Sequence, residues 1–90
     1  MDEPKKIKCD NVDYRKGYIE VTPGIHDNCI NIETWDVHVD IDLSKIEIGD
    51  DDFPENGITG NTEIEMSVSE AELLISELQN AVAKIRGENA

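Results

Sequence analysis

Apolar and polar residues alternate with a period of two through the first two thirds of the chain, and this pattern limits the possible folds most strongly. Successive side chains of an extended strand point to opposite faces, so strict alternation gives the strand one apolar and one polar face. The clearest case runs from Trp35 to Leu43, where every odd position is apolar and every even position is polar. Weaker alternation marks residues 18–22, 29–33 and 62–68, and short candidate strands lie at 6–9 and 46–48. Because typical turn residues separate these segments, they predict an antiparallel sheet of four to six short strands.

The period changes near the C-terminus. Ser69-Glu70-Ala71-Glu72 fits a capping box, in which the serine oxygen accepts a first-turn amide and the glutamate side chain reaches back. Apolar residues then recur at helical spacing as far as Ile85, and Gly87 stands where a helix ends. We predict an amphipathic helix at 69–86 that packs on one face of the sheet, which gives a single α+β domain over residues 1–90.

The predicted core combines the inward-facing strand positions with the apolar stripe of the helix. Its members are Ile19, Val21, Ile30, Ile32, Trp35, Val37, Val39, Ile41, Ile64, Met66, Val68, Leu74, Leu78, Val82 and Ile85. The longest irregular stretch, residues 49–61, holds three consecutive aspartates, a proline and several glycines. Such a composition predicts an exposed acidic loop.

Negative charge is concentrated in the middle of the chain. The sequence has 21 Asp and Glu against 8 Lys and Arg, for a formal net charge of −13. Between residues 17 and 60, Lys45 is the only basic side chain, and ion pairs within this region therefore cannot neutralise its acids. A charge of this sign disfavours direct binding to nucleic acid phosphates or to an anionic membrane, and favours a cationic partner.

The outward positions of the 35–43 strand offer a row of acidic side chains that a basic partner could bind. Alternate residues of a strand lie ~6.6 Å apart, and neighbouring strands could extend the row into an array. The candidate partner-binding residues are Asp36, His38, Asp40, Asp42, Glu47, Asp50, Asp51, Asp52, Glu55, Glu63 and Glu65. The candidate apolar anchors are Tyr14, Tyr18 and Phe53. The other interpretation of the row is an ordinary solvated strand face, whose charges discourage edge-to-edge aggregation.

Two metal sites are conceivable from the sequence, and neither has the expected spacing. The stretch from Asp52 to Glu63 has an EF-hand outline, but Pro54 occupies a ligand position and the flanks are typical of strands rather than helices. A zinc site would have to combine Cys9, His26, Cys29 and His38, whose spacings do not match the paired pattern of structural zinc sites. We therefore expect no cofactor.

The same residues give little support to catalysis or secretion. No serine or cysteine is linked to either histidine by a recognised nucleophile motif, so we do not expect an enzyme. Two cysteines are too few for a disulfide scaffold, and they predict reduced thiols in a cytoplasmic protein. The alternative is a single disulfide between them. The first six residues are not followed by an apolar run, so no secretory signal is expected.

The leading hypothesis is a non-enzymatic acidic protein that docks on a basic, nucleic-acid-binding surface of a partner protein and blocks it. Small inhibitors that mimic nucleic acid, such as phage-encoded antagonists of restriction or CRISPR systems, form the class that this size and charge suggest. Two alternatives stay open. One is a structural or accessory module that assembles through a sheet edge or the helix, and the other is a calcium- or zinc-binding module.

Overall fold

Four antiparallel strands and one helix form the fold in the computed structural model, which describes residues 6–87. The strands are β1 (Lys6–Cys9), β2 (Lys16–Pro23), β3 (Cys29–Val37) and β4 (Ile58–Ser67), and the helix is α1 (Val68–Arg86). They form one sheet in the order β1-β2-β3-β4. The predicted α+β class is confirmed, as is the C-terminal helix. The terminal segments 1–5 and 88–90, which the single-domain prediction includes, lie outside the described residues.

The contacts between residues divide the described chain into two compact units. Unit 1 contains residues 6–22 and 32–64, and unit 2 contains residues 23–31 and 65–87. Unit 1 holds β1 and most of the other strands. Unit 2 holds the β2–β3 turn, the end of β4 and the helix, which follows β4 without a break.

The register of β1 and β2 fixes which side chains share a face of the sheet in unit 1. Lys8 pairs with Tyr18, and Ile7 pairs with Ile19. Since directly opposed residues point to the same face, Lys8 and Tyr18 lie on one side and the two isoleucines on the other. Tyr18 is buried, whereas Ile7 and Ile19 are exposed, so the core of unit 1 forms on the Tyr18 face.

The predicted strand over 35–43 is wrong beyond Val37, where β3 ends. Residues 38–57, which we call the β3–β4 connection, leave the sheet and form a series of turns, including hydrogen bonds from Ile41 N to His38 O and from Lys45 N to Asp42 O. Of the alternating apolar residues in this segment, Leu43 is buried and Ile41 half-buried, whereas Val39 is exposed. The candidate strand at 46–48 belongs to these turns, and the predicted acidic loop at 49–61 ends earlier, because 58–61 lie in β4.

The core is smaller than predicted and lies between the sheet and the β3–β4 connection. Tyr18, Val37 and Leu43 are its buried apolar members. Around them pack the partly buried side chains of Trp35, Ile41, Ile48, Phe53 and Ile58. Of the fifteen residues predicted as core, only Val37 is buried, and Ile30, Ile32, Trp35, Ile41 and Met66 are half-buried. The others are exposed because they lie on the opposite face of the sheet, on the helix or in the connection: Ile19, Val21, Val39, Ile64, Val68, Leu74, Leu78, Val82 and Ile85.

The helix begins at Val68, one residue earlier than predicted. Its N-cap is Ser67, whose Oγ accepts from Glu70 N at 3.1 Å while Glu70 Oε1 accepts from Ser67 N at 2.9 Å. The serine at 69 fits the same sequence pattern, but β4 runs to Ser67, whose extended backbone suits an N-cap. At the other end Gly87 adopts φ 71°, the left-handed conformation that glycine accommodates, and this confirms the predicted helix end.

Candidate partner-binding surface

The β3–β4 connection is closed at its ends and anchored on the core by apolar side chains. His38 N donates to Gly57 O at 2.8 Å, which brings the two ends of the segment together. Leu43, at its centre, is 2% exposed. A Cβ at position 57 would lie 2.5 Å from Ile41 Cδ1 and 2.7 Å from Phe53 Cε1, so a larger residue there would displace these side chains. The connection is therefore a folded part of unit 1.

Two lysines of the sheet hold the main chain of the connection. Lys16 Nζ donates to Val39 O at 3.1 Å and also to Ile41 O. Lys8 Nζ donates to Leu43 O at 3.0 Å and lies 3.7 Å from a carboxylate oxygen of Glu47. Both cations thus satisfy carbonyl groups that no strand partner reaches. Sequence reasoning missed this role. The signal was present, because Lys16 lies two residues before Tyr18 on β2 and Lys8 pairs with Tyr18, so all three belong to the same face of the sheet.

A third lysine is also engaged within unit 1. Lys6 Nζ lies 3.7 Å from Glu20 Oε2 and 5.3 Å from the centroid of the Trp35 ring. Both distances suit favourable electrostatic contacts at a partly exposed site. The lysines of β1 and β2 therefore interact with groups of their own chain.

Two of the predicted anchors belong to the core. Tyr18 is 5% exposed, and its Oη accepts from Ile48 N at 3.3 Å, so it joins the sheet to the connection. Phe53 is partly buried against the same core. The prediction for Tyr18 was wrong, because an aromatic side chain near acidic residues also suits the task of covering a small core, and that for Phe53 stays a prediction. Tyr14 is 77% exposed and remains a candidate anchor.

All seven carboxylates of the β3–β4 connection are exposed, and Lys45 is its only Lys or Arg. Three of the acids, Asp42, Glu47 and Asp50, have side-chain partners within the chain, and Asp40 Oδ2 lies 3.8 Å from His38 Nδ1, the ring nitrogen that accepts from Asp40 N. The other three make no hydrogen bond or ion pair with any described residue, and they are Asp51, Asp52 and Glu55. The connection thus presents an excess of negative charge on a backbone that is held in place.

Asp42 organises a turn in the connection. Its Oδ1 accepts from Ser44 N at 3.0 Å and from Ser44 Oγ at 2.6 Å, and Lys45 Nζ lies 4.0 Å from Oδ2. The hydrogen bonds from Ser44, together with the charges of Lys45 and Lys16, hold the pKa of this exposed carboxyl below its ordinary value of 3.8. Asp42 therefore shapes the surface as well as adding charge to it.

The predicted straight row of outward side chains does not form. Asp36 lies on β3, whereas His38, Asp40 and Asp42 lie in the turns of the connection, so the spacing of ~6.6 Å does not apply to them. The ring Nδ1 of His38 accepts from Asp40 N at 3.0 Å and stabilises the first of these turns. The structure places Glu63 on β4, exposed to solvent.

Glu65, in unit 2, has a structural role that its sequence pattern did not reveal. Oε2 accepts from Ile25 N at 3.0 Å, and Oε1 accepts from His26 N at 3.2 Å and lies 2.9 Å from His26 Nδ1. The bond with the His26 side chain, followed by the two backbone donors, lowers the pKa of Glu65 below its ordinary value of 4.5. This carboxylate fastens the β2–β3 turn to the end of β4.

The proposed metal ligands do not come together in the part of the chain that is described. Within residues 6–87, no group of three or more His, Cys, Asp or Glu side chains is placed to hold a metal ion. Cys9 and Cys29 are free thiols, the first exposed and the second half-buried. The EF-hand outline at 52–63 ends inside β4 and lacks the flanking helices of that motif. None of the helical residues described forms a segment long and apolar enough to cross a membrane.

An open cleft of about 560 Å³ lies beside the start of β2 in unit 1. Tyr14, Arg15, Trp35 and Asp36 are among the residues that line it. The cleft therefore offers an aromatic surface with both signs of charge. No protein-family model, curated protein or solved structure significantly matches the chain.

Proposed function

We propose that this is a non-enzymatic acidic binding protein that docks its β3–β4 connection on a basic, nucleic-acid-binding surface of a partner protein and blocks it. The observation that carries the proposal is the exposure of seven carboxylates against one lysine on a segment whose backbone is anchored. A surface that has evolved to hold nucleic acid phosphates is cationic, and it attracts any dense array of carboxylates by the same forces.

The anchoring matters because binding costs less when the bound conformation already exists. Leu43 is buried, and Lys8 and Lys16 bind three carbonyl groups of the connection. The backbone that carries the carboxylates is thus ordered before a partner arrives, and little of its conformational entropy remains to be lost on binding.

The mechanism would be competition for one surface. Complementary charge accelerates the encounter and sets the orientation, while affinity depends more on a few well-packed contacts. Tyr14, exposed beside the cleft that Arg15 and Trp35 help to line, is the aromatic side chain available for such a contact. Bound protein would then exclude nucleic acid from the partner.

The experiment is affinity capture from the native host's lysate with the immobilised chain, at low and moderate salt, followed by displacement with duplex DNA. The test variant is Asp51→Lys/Asp52→Lys, because neither carboxylate has a partner among the described residues. The control is Asp27→Lys/Glu72→Lys, which changes the net charge equally at exposed positions of unit 2.

We expect the wild type and the control to retain a basic nucleic-acid-binding protein that salt or DNA releases, and the test variant to lose it. Salt dependence follows from the screening of exposed charges, whose Debye length falls to ~8 Å at physiological ionic strength. Retention that is the same for all three proteins, or that DNA does not displace, would contradict the proposal.

A further inference from the structure

The apolar stripe of α1 is uncovered. No residue of this helix, which lies wholly in the described part of the chain, is buried. Leu74 is 39% exposed, Leu78 57% and Val82 46%. Exposed apolar surface of this extent on one face of a helix marks an interaction site more often than a solvated surface.

The spacing of the stripe suits another helix better than a flat surface. Positions 71, 78 and 85 repeat every seven residues, and positions 74 and 81 fall between them. These are the a and d positions of a heptad pattern that extends over slightly more than two heptads, with Ile75 and Val82 at the adjoining e positions. The a and d positions can pack on a second helix in knobs-into-holes fashion, and the apolar e positions widen the stripe beyond a strict two-position seam.

The charges along α1 identify the second helix. Glu70, Glu77 and Lys84 occupy the g positions, spaced by seven residues. When two copies run antiparallel and are centred on Glu77, the g positions face each other. Glu70 of each copy then lies opposite Lys84 of the other, and these two attractive pairs outnumber the one repulsive contact between the two Glu77 side chains. A parallel pair offers no such contact, because its g positions face the apolar e positions.

A second copy also meets less repulsion at the helix than at the β3–β4 connection. It carries three acidic and two basic side chains, in contrast to the seven acids and one lysine of the β3–β4 connection. An antiparallel pair additionally brings the positive end of each helix dipole near the negative end of the other. We propose that the protein forms a homodimer through α1, with the two helices antiparallel and centred on Glu77. This inference is independent of the proposed partner-binding function.

Sedimentation equilibrium over a protein range of about 5–500 µM tests the dimer, since a two-heptad interface is expected to be weak. The fitted mass should rise from 10.1 kDa towards twice that value as concentration increases. Leu78→Glu introduces a charge into the seam and should weaken the dimer more than about tenfold. Ser76→Glu adds the same charge outside the seam and should leave the dimer intact.

Circular dichroism controls for folding, and both variants should retain the wild-type spectrum because positions 76 and 78 are exposed. A wild type that stays monomeric over the whole range, or a Leu78→Glu protein that dimerises like the wild type, would overturn the proposal.

Two further measurements test the orientation. Glu70→Gln keeps the capping hydrogen bond, since glutamine also serves at that position, and it removes the charge that faces Lys84. Glu70→Gln and Lys84→Gln should each weaken the dimer about threefold, and the double variant should be no weaker than either, because two symmetry-related exposed pairs are lost in each case. Additive losses would contradict the antiparallel register.

Spin labels give the second readout. With Cys9 and Cys29 replaced by alanine, a label at Ser69→Cys should lie ~24 Å along the helix axis from its counterpart, because residue 69 of one copy faces residue 85 of the other. A distance that leaves the two labels side by side would show a parallel pair and refute the proposed arrangement.

Discussion

Leu43→Ala is the sharpest test of how the β3–β4 connection is held. The side chain is 2% exposed and contributes to the core between the sheet and the connection. Truncation of a buried leucine to alanine costs ~2–5 kcal/mol, through lost burial and the cavity that remains. We expect a loss of about 3 kcal/mol in the free energy of unfolding. With an m value of ~1–1.5 kcal/mol/M for a chain of this size, the urea midpoint should fall by about 2–3 M.

The assay is urea unfolding followed by the fluorescence of Trp35, the single tryptophan, which packs against the buried cluster. Leu73→Ala is the matched control, because it makes the same chemical change at a helix position that is 67% exposed. Its effect should stay within ~0.5 kcal/mol. Equal losses in the two variants would refute the placement of Leu43 in the core.

Two other substitutions test single hydrogen bonds. Because the pKa of Asp42 is lowered in the folded chain, its ionised form stabilises the fold above the ordinary value of 3.8, and this contribution is lost as the pH falls towards the folded-state pKa. Ser44→Ala should raise the pKa of Asp42 in a carbon-detected NMR titration, and an unchanged value would contradict the turn described here. Tyr18→Phe removes the acceptor for Ile48 N and should cost ~1 kcal/mol in urea unfolding; a variant as stable as the wild type would show that this bond contributes nothing.

The local features of the chain could be predicted where one physical cause decides them. The helix follows from its spacing and from Gly87, and β2 and the start of β3 follow from their alternation. The N-cap was misplaced because Ser67 and Ser69 both have a glutamate three residues later, and only the end of β4 chooses between them.

The candidate site was harder to predict because its shape depends on contacts distant in sequence. Alternation from Trp35 to Leu43 is compatible with a strand and equally with turns that bury Ile41 and Leu43 while Val39 stays exposed. Hydrogen bonds between distant residues decide in favour of the turns. His38 N donates to Gly57 O, and Lys16 Nζ donates to the carbonyls of Val39 and Ile41. The exposure of the acids at 50–52 was predictable, since an isolated charge is rarely buried.

The length of the β3–β4 connection also has a consequence for the order of folding. Only short turns join β1 to β2 and β2 to β3, whereas 20 residues separate β3 from β4. Closing a loop about four times longer costs ~1.2 kcal/mol more in chain entropy, and repulsion among its carboxylates opposes the same step. We therefore expect the first three strands to associate early and β4 to dock late. Dissolved salt should then accelerate the late step, because it shields the carboxylates while the chain closes.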